Sequence, residues 1–231
     1  MTNYTLKVKN NSSNATSFCV FMALPEEQAQ NSSFYTLAWM VKYAEPNTMI
    51  RFSWSDIFNV IWSQPGRHLQ SGVICDVREP NFLSLSRSIK INAAASQCLN
   101  INPPEKGCTT LQYNKKQLTY CFSKLEKSNN DQITINCDSE VPNSKTTSPH
   151  IAAGIGIGLS GSGLFLVNTQ PNLAFMWPVP PFKFYLSFGS VKWGEIIDRE
   201  SWLERAVLVS FNDTTECEAI LNINNRLKVI R

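Results

Sequence analysis

Serine, histidine and cysteine are among the side chains of this chain that could act as a nucleophile, a base or a metal ligand. Ser162 lies in the small-residue turn Gly161-Ser162-Gly163, and the two histidines are His68 and His150. No G-x-S-x-G nucleophile elbow and no C-x-x-C pair occurs, and neither histidine has metal-type spacing to a cysteine. We therefore expect neither serine hydrolysis nor a metal site.

The stretch GIGIGLSGSGLFLV, residues 154–167, matches the letters of the dinucleotide fingerprint G-x-G-x-x-G. That fingerprint needs a following helix and an acidic residue about twenty positions on. Here a strand-like LFLVN follows, and the next acidic residue is Glu195. We interpret the stretch as two strands joined by a turn at residues 160–163, and we expect no nucleotide cofactor. One strand face carries almost no side chains, and we expect an aromatic ring of the core to cover it.

Aromatic residues are the most informative set. Residues 175–182, FMWPVPPF, place three prolines between two aromatic strands, which predicts a stiff loop carrying large apolar side chains. Such loops build ligand pockets in β-sandwiches. Trp39, Trp54 and Trp62 are equally compatible with a core position, whereas Trp177 and Trp193 fall near turns. The candidate ligand-binding residues are Trp39, Trp54, Trp62, Trp177, Phe182 and Trp193.

The elements that must position these side chains are strands. Period-two alternation recurs along the whole chain, for example over residues 37–43 and 71–75, and the best helical candidate is the short stretch 199–205. Short strands separated by turns predict an all-β protein, an antiparallel β-sandwich or flattened barrel. We expect a single domain over residues 1–231, in which residues 86–147 form a cysteine-containing insertion or hairpin elaboration.

Composition limits the partners and the compartment. The net charge of +3 comes from 21 basic and 18 acidic residues scattered along the chain, so nothing favours a nucleic-acid partner. The N-terminal residues lack an apolar signal-peptide core, and the apolar run 151–167 is shorter than the roughly 20 residues of a membrane helix. We expect a cytoplasmic protein without a transmembrane segment. A homo-oligomer is compatible with the sequence.

Cysteine usage leaves two alternatives. The seven cysteines are an odd number, so at least one thiol is unpaired within the chain. We expect reduced and mostly buried thiols. The alternative is one or two local disulfides among the four cysteines from Cys98 to Cys137, which would cross-link the least strand-like region.

Three segments, residues 37–66, 154–172 and 184–198, together resemble the rhizosphere-expressed protein RhiA family, with weaker support from residues 4–21. The glycine-rich hairpin ends in Gln-Pro-Asn as the family's does, and the GEIID sequence is similar to the family's Gly-Glu-Val-Leu-Asp. The resemblance implies a β-rich cytosolic or exported accessory protein of unassigned activity, and its motifs are not catalytic in character. Residues 86–147 depart from the family pattern.

Three functions are open on this basis. The leading hypothesis is the binding of an apolar or aromatic small molecule, such as a secondary metabolite, without metal or nucleotide. The second is a cofactor-independent cyclase whose pocket shapes a reactive intermediate, with Arg51, Tyr185 and Lys192 as weak candidates for polarising a carbonyl. The third is a cytolysin-like sandwich that interacts with proteins or membranes through exposed aromatic residues. Whether the protein is an enzyme is left open.

Overall fold

The computed structural model consists mostly of strands, with almost no helix. It describes residues 2–22, 34–75, 77, 95–101, 107–123, 126–127, 132–178, 183–211 and 214–230. The strands are β1 (Asn3–Asn10), β2 (Thr16–Met22), β3 (Phe34–Leu37), β4 (Met40–Ala44), β5 (Met49–Ser55), β6 (Phe58–Gln64), β7 (Ala95–Ile101), β8 (Gly107–Asn114), β9 (Thr119–Phe122), β10 (Glu126–Lys127), β11 (Gln132–Cys137), β12 (Gly154–Leu159), β13 (Ser162–Asn168), β14 (Ala174–Pro178), β15 (Phe184–Phe188), β16 (Ile196–Ile197), β17 (Val207–Val209), β18 (Glu216–Leu221) and β19 (Leu227–Val229). A short helix, α1, spans Arg199–Leu203, as the sequence predicts.

The strands form four open sheets. The terminal sheet has the order β19-β18-β1-β5, and the helix-covered sheet has the order β17-β15-β2-β4. The glycine sheet has the order β16-β3-β13-β12-β6-β7, and the cysteine sheet has the order β10-β8-β11-β14 with β9 paired to β8. Pairing is antiparallel in the described strands except between β1 and β18 and between β8 and β11. The prediction of an all-β, sandwich-like fold rich in antiparallel pairs is confirmed.

All four sheets contribute to one large core. Leu6 of the terminal sheet, Phe18 of the helix-covered sheet, Ile157 of the glycine sheet and Ile135 of the cysteine sheet belong to the same buried cluster. Two of the sheets are also buried on their second face. Trp202 of α1 packs there on the helix-covered sheet, and Leu69, Val73, Cys75 and Val77 pack on the glycine sheet. A sheet covered on both faces has no positions that face solvent, which explains why β12 is buried at every residue.

The bare face of the glycine hairpin is covered by aliphatic side chains and backbone. A Cβ added at Gly163 would lie 2.8 Å from Ile61 Cδ1, and one added at Gly156 would lie 1.9 Å from the Phe165 carbonyl oxygen. The expectation that an aromatic ring covers this face is therefore wrong. The aliphatic residues of the second core, among them Leu69 and Val77, fill the space instead.

Two predicted strands differ from the structure. The segment 37–43 is not one strand, because it leaves the glycine sheet after Leu37 and joins the helix-covered sheet at Met40. The segment 71–75 makes only a single bridge, between Ile74 and Glu195. Its alternating residues Val73 and Cys75 instead point their apolar side chains into the second core. The backbone of this segment bonds to residues 194–196 without forming a strand, so alternation reports which side chains are buried but not whether a strand forms.

The described part of residues 86–147 is joined to the rest of the protein by pairing and by core packing. Strand β7 extends the glycine sheet by pairing with β6, and β11 pairs with β14. Leu111 and Ile133 of this region lie in the core that all four sheets share. Whether the region is an insertion relative to other proteins of its kind stays a prediction.

The cysteines whose side chains are described are all free thiols. Cys19, Cys75, Cys137 and Cys217 are buried, Cys108 is half-buried, and Cys121 is exposed. A disulfide among the four cysteines of residues 98–137 would need one of these free thiols. The alternative of local disulfides is therefore wrong, and the expectation of reduced, mostly buried thiols holds for the described side chains.

The buried thiols predict a loss of stability at high pH. Burial raises the pKa of Cys75 and of Cys137 from 9.0 to about 12. Between these values the unfolded chain releases protons that the folded protein keeps, so the free energy of unfolding falls as pH rises above 9. The decline is at most about 1.4 kcal/mol per pH unit for each thiol.

Urea unfolding across this alkaline range measures the decline. The exposed thiol offers a control, because Cys121→Ser should leave the pH dependence unchanged while Cys75→Ala should make it shallower. Equal pH dependence in the two variants would show that the buried thiol does not contribute. Thiol labelling of the native protein at neutral pH should modify Cys121 long before Cys75 or Cys137.

A candidate ligand site around Trp54

Five aromatic side chains pack together in the main core, and we call them the Trp54 cluster: Tyr4, Trp39, Trp54, Phe184 and Phe211. The Trp54 ring lies 5.3 Å from Trp39, 5.1 Å from Phe184 and 5.3 Å from Phe211, measured between ring centroids. Trp39 also stacks on Phe184 at 5.6 Å. Edge-to-face and stacked pairs at these distances are favourable beyond the area that they bury.

The strand pattern of β5 explains how Trp54 reaches this position. Phe52 and Trp54 point into the core, while Arg51 and Ser53 point outward, as the alternation in the sequence predicts. Tyr4 lies directly opposite Trp54 in the antiparallel pair of β1 and β5, and the two rings stack at 6.0 Å. Residues opposite each other in such a pair share one face, so the register itself brings two of the five rings together.

The turn of the glycine hairpin fixes the neighbouring tryptophans. Trp39 Nε1 donates to the Leu159 carbonyl at 3.1 Å, and Trp193 Nε1 donates to Ser162 Oγ at 2.9 Å. The Ser162 hydroxyl donates in turn to the Trp39 carbonyl at 3.4 Å. Ser162 is thus buried and hydrogen-bonded on both sides, so it is not placed as a nucleophile.

The turn itself is a tight two-residue turn. Ser160 and Gly161 both have positive φ, 51° and 75°, which is typical of hairpins that match the twist of their strands. The Gly161 N–H donates to Asn59 Oδ1 at 2.7 Å, and the Ser160 N–H donates to the Ile57 carbonyl at 2.7 Å. The turn next to the Trp54 cluster is therefore held in one conformation.

Two tryptophans of the core lack an acceptor for their indole N–H. Trp54 is 4% exposed and Trp177 is 0% exposed, and neither Nε1 atom has a hydrogen-bond partner among the described residues. Leaving a buried donor unpaired costs about 1–3 kcal/mol. Trp39 and Trp193, by contrast, have acceptors for their indole N–H groups in the same region.

The Trp54 cluster reaches the protein surface on one side. Tyr4 and Phe211 are half-buried and meet edge to face at 5.1 Å between centroids. Trp54 contacts both rings, whereas Trp39 and Phe184 lie deeper and are buried. Tyr4 and Phe211 are therefore the members of the cluster that a small molecule can reach from solvent.

The other predicted ligand-binding residues lie apart or outside the described chain. Trp62 packs on Tyr120 at 5.7 Å, and Trp177 stacks on Phe165 at 5.4 Å. Trp177 lies one residue before the end of β14, opposite Ile133 of β11, and its side chain is wholly buried. Phe182 lies outside the described residues. Trp39, Trp54 and Trp193 are brought together, and ligand contact stays a prediction for the whole set.

The three candidate polarising residues have separate surroundings. Arg51 is exposed on the outer face of β5. Tyr185 is half-buried on β15 and stacks on Phe21 at 5.6 Å. Lys192 is exposed in the loop after β15, where its N–H donates to Glu195 Oε2 at 2.9 Å. Their role in any reaction stays a prediction.

Within the described residues, no group of three histidine, cysteine or acidic side chains is arranged to hold a metal ion. His68 Nδ1 lies 2.8 Å from the Ser144 carbonyl oxygen, and His150 is an exposed turn residue. In this same part of the chain, no helix combines the length and the apolar character needed to cross a membrane.

The site residues that sequence reasoning missed are Tyr4, Phe184 and Phe211. Each lies more than forty residues from Trp54 along the chain, and only the pairing register and the packing of the sheets bring them together. The alternation of β1 places Tyr4 on the same side as Leu6 and Val8, which was a usable signal that Tyr4 faces the core.

The fold and the aromatic cluster define an all-β, sandwich-like protein whose described residues offer no metal centre. The RhiA family model matches residues 1–231, and the chain therefore belongs to the RhiA family, as the motifs indicated. Protein RhiA of Rhizobium leguminosarum bv. viciae is 22% identical over 184 residues, which are 78% of this chain and 66% of that protein. The chain thus spans about two thirds of the length of this curated relative. No solved structure matches the chain.

Proposed function

We propose that this protein binds an apolar or aromatic small molecule that carries a hydrogen-bond acceptor, such as a secondary metabolite, at the Trp54 cluster. The observation that carries the proposal is the buried Trp54 Nε1–H, which has no acceptor among the described residues. A carbonyl or ether oxygen of a ligand would satisfy this donor. The surrounding rings would contact the apolar body of the same ligand.

The chemistry of the cluster selects a neutral ligand. Its five side chains are aromatic and carry no formal charge at neutral pH, so a charged group placed among them would lose its hydration without gaining a partner. A single donor at a fixed position discriminates strongly between ligands with and without an acceptor, because an unmatched donor stays unpaired in the complex. The expected ligand is therefore a largely apolar molecule with one or a few oxygen acceptors.

Binding is a simpler proposal than cyclisation. A cyclase also requires groups that polarise a carbonyl at the bound intermediate. Arg51, Tyr185 and Lys192 lie on different elements with separate partners, and none of them belongs to the Trp54 cluster. The binding function needs only the cluster itself.

A cytoplasmic location is part of the proposal. The free thiols Cys108, Cys121 and Cys137 of the cysteine sheet fit a reducing compartment, since disulfides persist in oxidising ones. Fractionation of the producing cell, with the protein followed by antibody, tests the location, and recovery only outside the cytoplasm would contradict it.

Native mass spectrometry after incubation with a metabolite extract of the host tests the binding. We expect a discrete mass increase for the wild-type protein. Trp54→Phe keeps an aromatic ring but removes the N–H, so the loss of one buried hydrogen bond, about 1–2 kcal/mol, should weaken binding by roughly fivefold to thirtyfold.

Trp202→Phe is the matched control. Trp202 is also buried, but it packs against Phe21 on the second face of the helix-covered sheet, away from the Trp54 cluster. The Trp202→Phe variant should bind the metabolite with the same occupancy as the wild-type protein. Equal occupancy in both variants, or no adduct on the wild-type protein, would contradict the proposed site.

A further inference from the structure

Three loops meet at one end of the terminal sheet, which we call the Asn10 end. The Asn10 N–H donates to the Thr48 carbonyl at 2.9 Å, and the Asn11 N–H donates to the Leu221 carbonyl at 2.8 Å. These bonds tie the loop after β1 to the turn between β4 and β5 and to the end of β18. Asn10 is wholly buried, and its side chain donates to the carbonyls of Asn14 and Ala44. The loops therefore form one connected platform.

This end carries protruding apolar side chains. Ile223 in the turn between β18 and β19 is 77% exposed. Met49 at the start of β5 is 54% exposed, and Tyr43 near the end of β4 is 59% exposed. All three follow or precede the loops of the platform, so they project at the same end of the protein.

A row of alternating apolar and cationic residues crosses the outer face of the terminal sheet beside this platform. Lys228 of β19 lies opposite Ile220 of β18, Ile220 lies opposite Lys9 of β1, and Lys9 lies opposite Met49 of β5. Directly paired residues point to the same face of a sheet. Lys9, Met49 and Lys228 are exposed, and Ile220 is half-buried.

Positive charge exceeds negative charge around this row. Lys9 and Lys228 lie in the row, Arg226 lies in the adjoining turn, and Lys7 and Arg51 lie opposite each other two residues further along their strands. Three acidic residues lie nearby. Glu45 is hydrogen-bonded to Tyr43, and Glu218 lies opposite Lys7. Glu216 forms an ion pair with Lys7 at 2.9 Å. The end of the sheet nearest the platform is therefore cationic.

We propose that the Asn10 end docks on an anionic lipid bilayer surface. Phospholipid headgroups such as phosphatidylserine complement the lysines, while Ile223 and Met49 enter the apolar boundary below the headgroups. The exposed aliphatic side chains favour a bilayer over a nucleic acid, because a bilayer has an apolar layer that can receive Ile223 and Met49. The cytoplasmic leaflet is the anionic face of a cell membrane, which agrees with the proposed location.

Vesicle sedimentation tests the charge requirement. Vesicles of phosphatidylcholine with about a quarter phosphatidylserine should sediment the protein, and pure phosphatidylcholine vesicles should retain little of it. Since each lysine near such a surface contributes about 1 kcal/mol, Lys9→Gln/Lys228→Gln should lower the partition coefficient about thirtyfold. Lys116→Gln/Lys145→Gln changes the net charge equally at exposed turns elsewhere and should behave as the wild type.

A second pair of variants tests the contribution of the apolar side chains to vesicle binding. Ile223→Ser should lower the partition several-fold, and Leu118→Ser, which alters an exposed apolar residue of the cysteine sheet, should not. Absence of sedimentation with anionic vesicles, or equal losses in both lysine variants, overturns the proposal. So does a change of oligomeric state caused by Ile223→Ser, since that result assigns the surface to a second copy of the chain. Metabolite binding at Trp54 should be unchanged in these variants, so this proposal and the binding proposal fail separately.

Discussion

Gly156→Ala is expected to lower the free energy of unfolding by more than about 3 kcal/mol, above the usual cost of an extra methyl group in a core. The added Cβ would lie 1.9 Å from the Phe165 carbonyl oxygen, 2.8 Å from the Phe165 carbonyl carbon and 3.0 Å from Leu166 Cα. These are backbone atoms of the paired strand β13, so no side chain can rotate away. The two central strands of the glycine sheet must separate to admit the methyl group.

Gly72→Ala is the control for Gly156→Ala. An added Cβ at Gly72 meets no atom within 4 Å, and the cost there is the backbone strain of its φ of +83°. That strain is about 1–2 kcal/mol. Urea unfolding of both variants measures the difference, and a loss at Gly156 no larger than the loss at Gly72 would show that the hairpin is not packed this closely.

Asn10→Ala is expected to destabilise the protein by about 2–4 kcal/mol. The Asn10 side chain donates to the Asn14 carbonyl at 2.9 Å and to the Ala44 carbonyl at 3.1 Å, and it accepts from the Ser12 N–H at 3.1 Å and from the Ser12 hydroxyl at 2.7 Å. Its side chain is wholly buried, so water cannot replace these bonds without opening the loop.

Hydrogen exchange shows which part of the protein Asn10→Ala destabilises. Amides in the turn 45–48 and in the turn 222–225 should exchange faster in Asn10→Ala, because Asn10 and Asn11 connect both turns to β1. Asn14→Ala alters a neighbouring exposed side chain and should change stability by less than about 0.5 kcal/mol. Unchanged exchange in both turns would contradict the role of Asn10 as the connecting residue.

Local sequence patterns predicted the elements that depend on neighbouring residues. The alternation in β5 places Phe52 and Trp54 inward, the small residues at 160–161 form the hairpin turn, and the stretch after Asp198 forms the helix α1. The family resemblance also rests on local motifs, and it is confirmed over the whole chain.

Features that depend on distant parts of the chain could not be predicted. The glycines of β12 indicated a close approach, but the covering residues Leu69 and Val77 come from a segment that alternates like a strand without pairing as one. The break at Ala38 is set by a change of sheet, since the Ala38 N–H donates to the Glu195 carbonyl while the next strand pairs with β2.

The candidate site, too, depends on distant parts of the chain and could be predicted only in part. The sequence indicated tryptophans as ligand contacts, and the structure groups Trp39, Trp54 and Trp193 around the hairpin turn. Which indole lacks an acceptor depends on three-dimensional packing alone. Trp39 and Trp54 are both buried and in contact, and only Trp39 finds a backbone carbonyl within reach.

The indole ¹H–¹⁵N resonances of the six tryptophans provide the most direct test of ligand binding at Trp54. Each resonance can be assigned by its disappearance in the corresponding Trp→Phe variant, and the spectrum is recorded before and after addition of the host metabolite extract. We expect the Trp54 indole proton to move downfield as its N–H gains an acceptor, while the Trp202 resonance stays in place. A Trp54 resonance that does not move when mass spectrometry shows a bound metabolite would contradict the account.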